Sequence, residues 1–373
     1  MEKRRELNYD ILRIISCIAV ILIHISAIYY YAIYDTSYFG QTIDSNHFLI
    51  VLLNIIGKFA VPCFVMLTGA FVLSNDKNQD RRYLYKKAIK SILVPTLIIG
   101  IFYFIYKEGI IISDVIKQKA CYKDMLLPIK DFLLGQPAYH MWYMSMLIGL
   151  YLVIPDIIKF LRKIEEKDNG NKTIIAIILY LLLCGYFAKS KLQYSVVIFI
   201  PYISYLLLGY LIRKKTLCKK SNIKAIIFFI ITILINCIHA YLATRLHIWN
   251  QSNEIITEIL GKGAFAPFII LSSITLFTSF SYLDINTKFI FKKLPQETLY
   301  IYLFHVVVVE VLSKLIIYKL GLKIQFALAI PLYVLITFII SWIITKIYLL
   351  IFNAINKGDK LENKIIKLLK LDK

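Results

Sequence analysis

The sequence predicts an all-α integral membrane protein, a polytopic bundle of about ten transmembrane helices with both termini in the cytoplasm. Three observations predict it. Of 373 residues, 59% are hydrophobic, and the mean hydropathy is +0.69. A soluble chain of this length needs more polar surface than that leaves. Apolar runs recur from one end to the other, each near the 20 residues that a bilayer requires. Basic residues gather in the N-terminal segment, in every second loop and in the C-terminal tail, at more than twice the number in the intervening loops. That bias sets the orientation. It also accounts for the net charge of +21 without a nucleic-acid partner, and the basic face is expected to meet anionic membrane lipid or an anionic cytoplasmic ligand.

The expected spans are 11–31, 48–73, 88–106, 140–160, 173–188, 195–212, 223–243, 264–283, 298–318 and 325–352. The first is read as a retained helix, because no small-residue cleavage site follows it. Residues 1–352 form one transmembrane domain, and 353–373 a basic amphipathic cytoplasmic tail. In the second span, Pro62 is expected to kink the helix, and Thr68-Gly69 to allow close helix approach. The long segment 107–139 is expected to hold a short amphipathic helix near Asp124–Leu134. The six cysteines are scattered, with no CxxC, so neither a disulfide framework nor a metal site is expected.

Ionisable residues inside a membrane are costly and mark function. In "RIISCIAVILIH", Arg13 and His24 are eleven positions apart, which is three turns plus about 20°. They share one face with Asp10, about 16 Å apart along the axis. Imidazole titrates near neutrality and suits general-base work, whereas a guanidinium suits an anion contact. In "RRYLYKKAIKSILVP", Lys87 and Lys90 share a face at the start of the third span. His140, Trp142 and Tyr143 sit at the outer start of the fourth. In "ETLYIYLFHVVVVE", His305 lies two turns into the ninth span, and Glu310 is about 140° away around the helix.

Taken in order, the Arg-x10-His stripe, "VPCFVMLTG", the basic pair before Pro95, "MWYMSMLIGLYLVIP" and "LYIYLFH" resemble the bacterial membrane acyltransferases of acyltransferase family 3. The resemblance runs from about residue 7 to 350. It implies transfer of an acyl group, usually acetyl, from cytoplasmic acyl-CoA to a hydroxyl of a cell-surface or lipid-linked glycan, at the bacterial plasma membrane. No tightly bound cofactor and no metal are implied.

The resemblance casts His24 and Arg13 as catalytic, and Arg13, Lys87 and Lys90 as contacts for the acyl-CoA phosphates. His140, Trp142, Tyr143, Glu297, Tyr300 and His305 become candidate contacts for the acceptor. The family has an Arg-x-x-Arg pair where this chain has Lys87-x-x-Lys90, which keeps the charge and loses the bidentate fork. No hydrolase-like extracytoplasmic domain of the kind some members have is expected, so transfer falls to the membrane domain alone or with a partner protein. Two other readings remain at this stage. One is an exporter or flippase for a polysaccharide or lipid-linked sugar, and the other a small-molecule-binding membrane module.

Overall fold

The computed structural model describes residues 6–33, 45–117, 126–133, 135–188, 197–216, 219–249, 263–285, 293–315, 326–356 and 360–371. All regular structure among them is helical. Eight helical segments are long and apolar enough to cross a membrane: Leu7–Tyr30, Phe48–Leu73, Arg81–Ser113, Trp142–Glu165, Gly170–Ala188, Asn222–Arg245, Leu294–Ser313 and Ala329–Ile355. The chain is a multi-pass membrane protein. The other two expected spans, 195–212 and 264–283, fall on the shorter helices Phe199–Thr216 and Pro267–Tyr282.

The helices are α1 (Leu7–Ile33), α2 (Ser45–Gly57), α3 (Ala60–Thr68), α4 (Arg81–Ala88), α5 (Val94–Ile116), α6 (Leu126–Leu133), α7 (Trp142–Glu165) and α8 (Gly170–Ala188). They continue as α9 (Phe199–Thr216), α10 (Asn222–Trp249), α11 (Pro267–Tyr282), α12 (Leu294–Ser313), α13 (Phe326–Ile355) and α14 (Lys360–Leu368). π-turns follow α3 at Gly69–Leu73 and precede α5 at Ile89–Leu93.

Two compact units divide the chain: residues 1–71 with 204–347, and 72–203 with 348–373. In the first unit, α1 is the central helix. Cys17, Ile21, Ile25 and Tyr29 recur every four residues along one face. They pack with Ile301 and Val309 of α12 and with Ile330, Tyr333 and Val334 of α13. The expected kink in the second span is a full break. α2 ends at Gly57 and α3 begins at Ala60; between them the Lys58 amide bonds the Ile55 carbonyl, and the Cys63 amide bonds the Phe59 carbonyl. Pro62 explains the position: it lacks an N–H, and its ring clashes with the carbonyl four residues back, which is that of Lys58.

Two glycines then bring helices into backbone contact. A Cβ on Gly69 would lie 1.8 Å from the Leu206 carbonyl oxygen, and one on Gly209 would lie 1.9 Å from that of Met66. The two contacts run in opposite chain directions, so α3 and α9 cross antiparallel with no side chain between them. The close approach expected at Thr68-Gly69 is therefore present.

The start of α1 is tied down by polar groups. The buried Arg213 guanidinium donates to the Glu6 carboxylate and, at 3.2 Å, to the Ala70 carbonyl, and it stacks over Phe71. The last carbonyls of α11 are also capped. Asn8 donates to Phe280 at 2.7 Å, Lys220 to Ser281 at 2.7 Å, and the Ser221 amide to Tyr282 at 3.0 Å. A cation at a helix C-terminus is favourable, while burial lowers the pKa of Lys220 despite that contact. Arg213→Ala strands the Glu6 carboxylate and opens the Phe71 stack. Since Glu6 is partly exposed, the expected loss is about 2 kcal/mol rather than the full cost of a buried pair. Thermal melting in detergent, with Arg213→Lys as an intermediate case, measures it.

In the second unit, salt bridges tie the segment after α3 to α7. Arg81 grips Asp156 through both carboxylate oxygens at 2.7 and 2.9 Å, and Arg162 reaches Asp76 at 2.6 Å. The Asp80 side chain caps α4 by accepting from the Arg82 amide at 2.9 Å. The expected outer helix is α6, whose described extent is Leu126–Leu133; Asp124 and Leu134 lie outside the described residues. The tail forms α14, and its Ile366 packs on Ile89 and Val94.

Candidate active site

The first unit brings two histidines together. The His24 ring on α1 lies 5.2 Å from that of His305 on α12, centroid to centroid, with the planes tilted by 34°. Seven residues earlier on both helices, the Cys17 thiol donates to the Thr298 carbonyl at 3.6 Å. Both contacts pair residues 281 positions apart, so α1 and α12 run parallel and in register over two turns.

His305 is fully buried, and its Nδ1 faces the Tyr302 carbonyl. A carbonyl only accepts, so Nδ1 carries the proton in the neutral ring, and Nε2 presents a lone pair. His24 is half-buried. The Lys58 ammonium, at the break between α2 and α3, lies within Coulombic range of it. Other groups hold the break at this level. Asn54 donates to the Ile23 carbonyl at 3.1 Å and to the Ser26 hydroxyl at 2.9 Å. Gly57 sits where a Cβ would meet Ile23 at 2.7 Å. Two imidazoles therefore lie side by side, with one cation in electrostatic range of His24. Such a set can take a proton from a hydroxyl and steady negative charge.

Arg13 is half-buried on the same face of α1, three turns towards the N-terminus. Glu297 is buried and engaged by its neighbours on α13, accepting from Trp342 Nε1 at 2.8 Å and from Lys346 Nζ at 2.5 Å. Tyr300 lies on α12 and is half-buried.

The second unit holds the remaining candidates. Lys87 and Lys90 line one groove of about 660 Å³, with Lys86 and Tyr83 beside them and Asn363, Ile366 and Lys367 of α14 opposite. His140 is buried, edge-on to Tyr103 at 5.2 Å and to Tyr139 at 5.9 Å. Trp142 opens α7 and lies 6.0 Å from Tyr202, and Tyr143 is buried. The basic pair is thus brought into one groove, and His24 and His305 into one pair.

The sequence alone neither paired the two histidines nor placed Lys58 beside them. The available signal for Lys58 was its position four residues before Pro62, where a helix must open. No group of three or more His, Cys, Asp or Glu side chains that could hold a metal occurs among the described residues.

No curated protein and no solved structure matches the chain. A family model described as an acyltransferase domain matches residues 6–346, from the Glu6 that pairs with Arg213 to the Lys346 that pairs with Glu297. That match covers nearly the whole length, and the chain belongs to the acyltransferase domain family, acyltransferase family 3.

Proposed function

We propose that the protein is a membrane O-acyltransferase of the bacterial cell membrane. It moves an acyl group, acetyl in this reading, from cytoplasmic acyl-CoA to a hydroxyl of a cell-surface or lipid-linked glycan. The observation that carries the proposal is the His24–His305 pair, with Lys58 in range of it, inside a chain of this family.

His24 takes the proton from the acceptor hydroxyl as its oxygen attacks the thioester carbon. The carbon–sulfur bond then breaks, and the proton passes from His24 to the departing CoA thiolate. His305 offers Nε2 as an acceptor that orients the hydroxyl or the His24 ring. Lys58 stabilises the negative charge that develops on the carbonyl oxygen. Arg13 and the Lys87–Lys90 pair contact the donor's phosphates. His140, Trp142, Tyr143 and Tyr300 are proposed acceptor contacts. Glu297, already held by Trp342 and Lys346, orders α12 against α13.

The break at Lys58 and Phe59 is the one feature that favours the export reading, since transporters build substrate sites on discontinuous helices. A single assay separates the two. Purified protein in detergent is given acetyl-CoA and a lipid-linked glycan extract, and free CoA thiol and acetylated glycan are measured together. An acyltransferase is expected to release thiol in step with acetylated product. Absence of both signals from a well-folded preparation would refute the enzyme reading.

A further inference from the structure

The basic C-terminal stretch forms helix α14, which is capped at both ends and docked through Ile366. Its first turn is held by Asn356, which accepts from the Leu361 amide at 2.9 Å and donates to the buried Glu362 carboxylate. Its last turn closes in a Schellman motif. The Leu371 amide bonds the Ile366 carbonyl at 3.1 Å, and the Lys370 amide bonds the Lys367 carbonyl at 3.0 Å. Lys370 takes the left-handed position with φ of 54°. Leu371 and Ile366 then meet in the apolar cluster around Ile89 and Val94, the hydrophobic contact that such a cap carries.

Ile366 docks α14 beside the stretch that presents Lys86, Lys87 and Lys90. Asn363 and Lys367, one turn apart on α14, form the facing wall of the same groove. Among the described residues, its lining carries four ammonium groups, one carboxamide and no carboxylate. Four like charges in one groove repel one another, and a multiply charged anion offsets that repulsion. A volume of about 660 Å³ is of the size that small-molecule sites have, and larger than one inorganic phosphate needs.

We propose that α14 is the second wall of a phosphate-binding groove, in which Lys367 and Asn363 contact a phosphorylated ligand together with Lys86, Lys87 and Lys90. This rests on the reading that the pair Lys87 and Lys90 meets the donor's phosphates. The phosphate belongs either to that soluble donor or to an anionic lipid headgroup.

The test uses the full chain in detergent, with Lys367→Gln and Asn363→Leu as variants and Lys87→Gln with Lys90→Gln as the reference. Coenzyme A binding is measured by calorimetry. Binding of phosphatidylglycerol is measured by native mass spectrometry. A melting temperature equal to that of the unaltered protein establishes that each variant is folded.

About fivefold weaker binding is expected for Lys367→Gln, with a shallower salt dependence. Loss in the coenzyme A arm assigns the groove to the donor, and loss in the lipid arm alone assigns it to a headgroup; either supports α14 as the wall. Unchanged binding in both arms for Lys367→Gln and Asn363→Leu overturns the proposal. If the Lys87 and Lys90 variant then still loses coenzyme A, the donor reading survives without α14. If unaltered protein binds no coenzyme A while the α14 variants lose lipid, the donor reading fails and the wall stands.

Discussion

His24→Ala is expected to lower acyl transfer by about 10²- to 10⁴-fold, the usual contribution of a positioned general base. Protein level and melting temperature should be nearly unchanged, because the ring is half-buried. His24→Asn fills a similar volume without a base and should be as inactive. His305→Asn separates the two roles. Its side chain accepts a hydrogen bond but takes no proton at neutral pH, so it should cost less than His24→Asn.

The two rings face each other at 5.2 Å. The double variant should therefore lose little beyond His24→Asn alone, since groups that act as a unit are strongly non-additive. Full additivity would mean that the rings do not share a step. Transfer retained by a folded His24→Asn protein would remove the base assignment altogether.

Gly209→Ala is expected to be, with Gly69→Ala, among the most destabilising single-methyl changes in the first unit. The added carbon would stand 1.9 Å from the Met66 carbonyl oxygen and 2.5 Å from the carbon it is bonded to. Overpacking costs about 1–3 kcal/mol where side chains can yield. Here the obstacle is backbone, so the expected loss exceeds about 3 kcal/mol. Gly69→Ala meets Leu206 in the same way at 1.8 Å. Combining the two should cost less than the sum, because parting the helices once relieves both clashes. Thermal unfolding followed by detergent size-exclusion chromatography measures this. Melting within a degree or two of the unaltered protein would show that α3 and α9 cross with more room than 1.9 Å allows. Gly109, where a Cβ meets nothing within 4 Å, is the matched control.

Much of the fold was legible because a bilayer imposes length and polarity on every crossing. The runs in α1, α10 and α13 announce themselves, since a water-soluble helix of that length needs a polar face that these lack. α9 was legible by its run too, but its last turn holds Arg213, Lys214 and Lys215, so its charge keeps it from standing out as a crossing. Pro62 foretold the bend in the second span. That the bend is a complete break at Lys58 depends on Asn54 and Gly57 locking α2 to α1, and no periodicity in α2 reveals such partners.

The site was legible only in halves. Arg13 and His24 share a helix, so 3.6-residue geometry alone aligned them. His305 became the partner of His24 through the register between two helices far apart in the chain, which one sequence does not encode visibly. Lys87 and Lys90 were readable as a pair on one helix face. The wall opposite them was not, because α14 docks through a few apolar residues, Ile366 with Ile365 and Leu371, in a strongly basic stretch.

The parallel register of α1 and α12 has a consequence for biogenesis. His24 and His305 are 281 residues apart, and at the pace of a translating ribosome tens of seconds separate their synthesis. Throughout that interval the nascent chain holds an imidazole in the bilayer with its eventual neighbour not yet made. α2 follows within a few dozen residues, and its Asn54 and Gly57 dock on the stretch around Ile23. An early α1–α2 hairpin would then cover the helix beside His24 until α12 leaves the insertion machinery. Weakening Asn54 should then show up first as degradation of newly made chains during insertion, with mature protein that escapes it nearly unaffected.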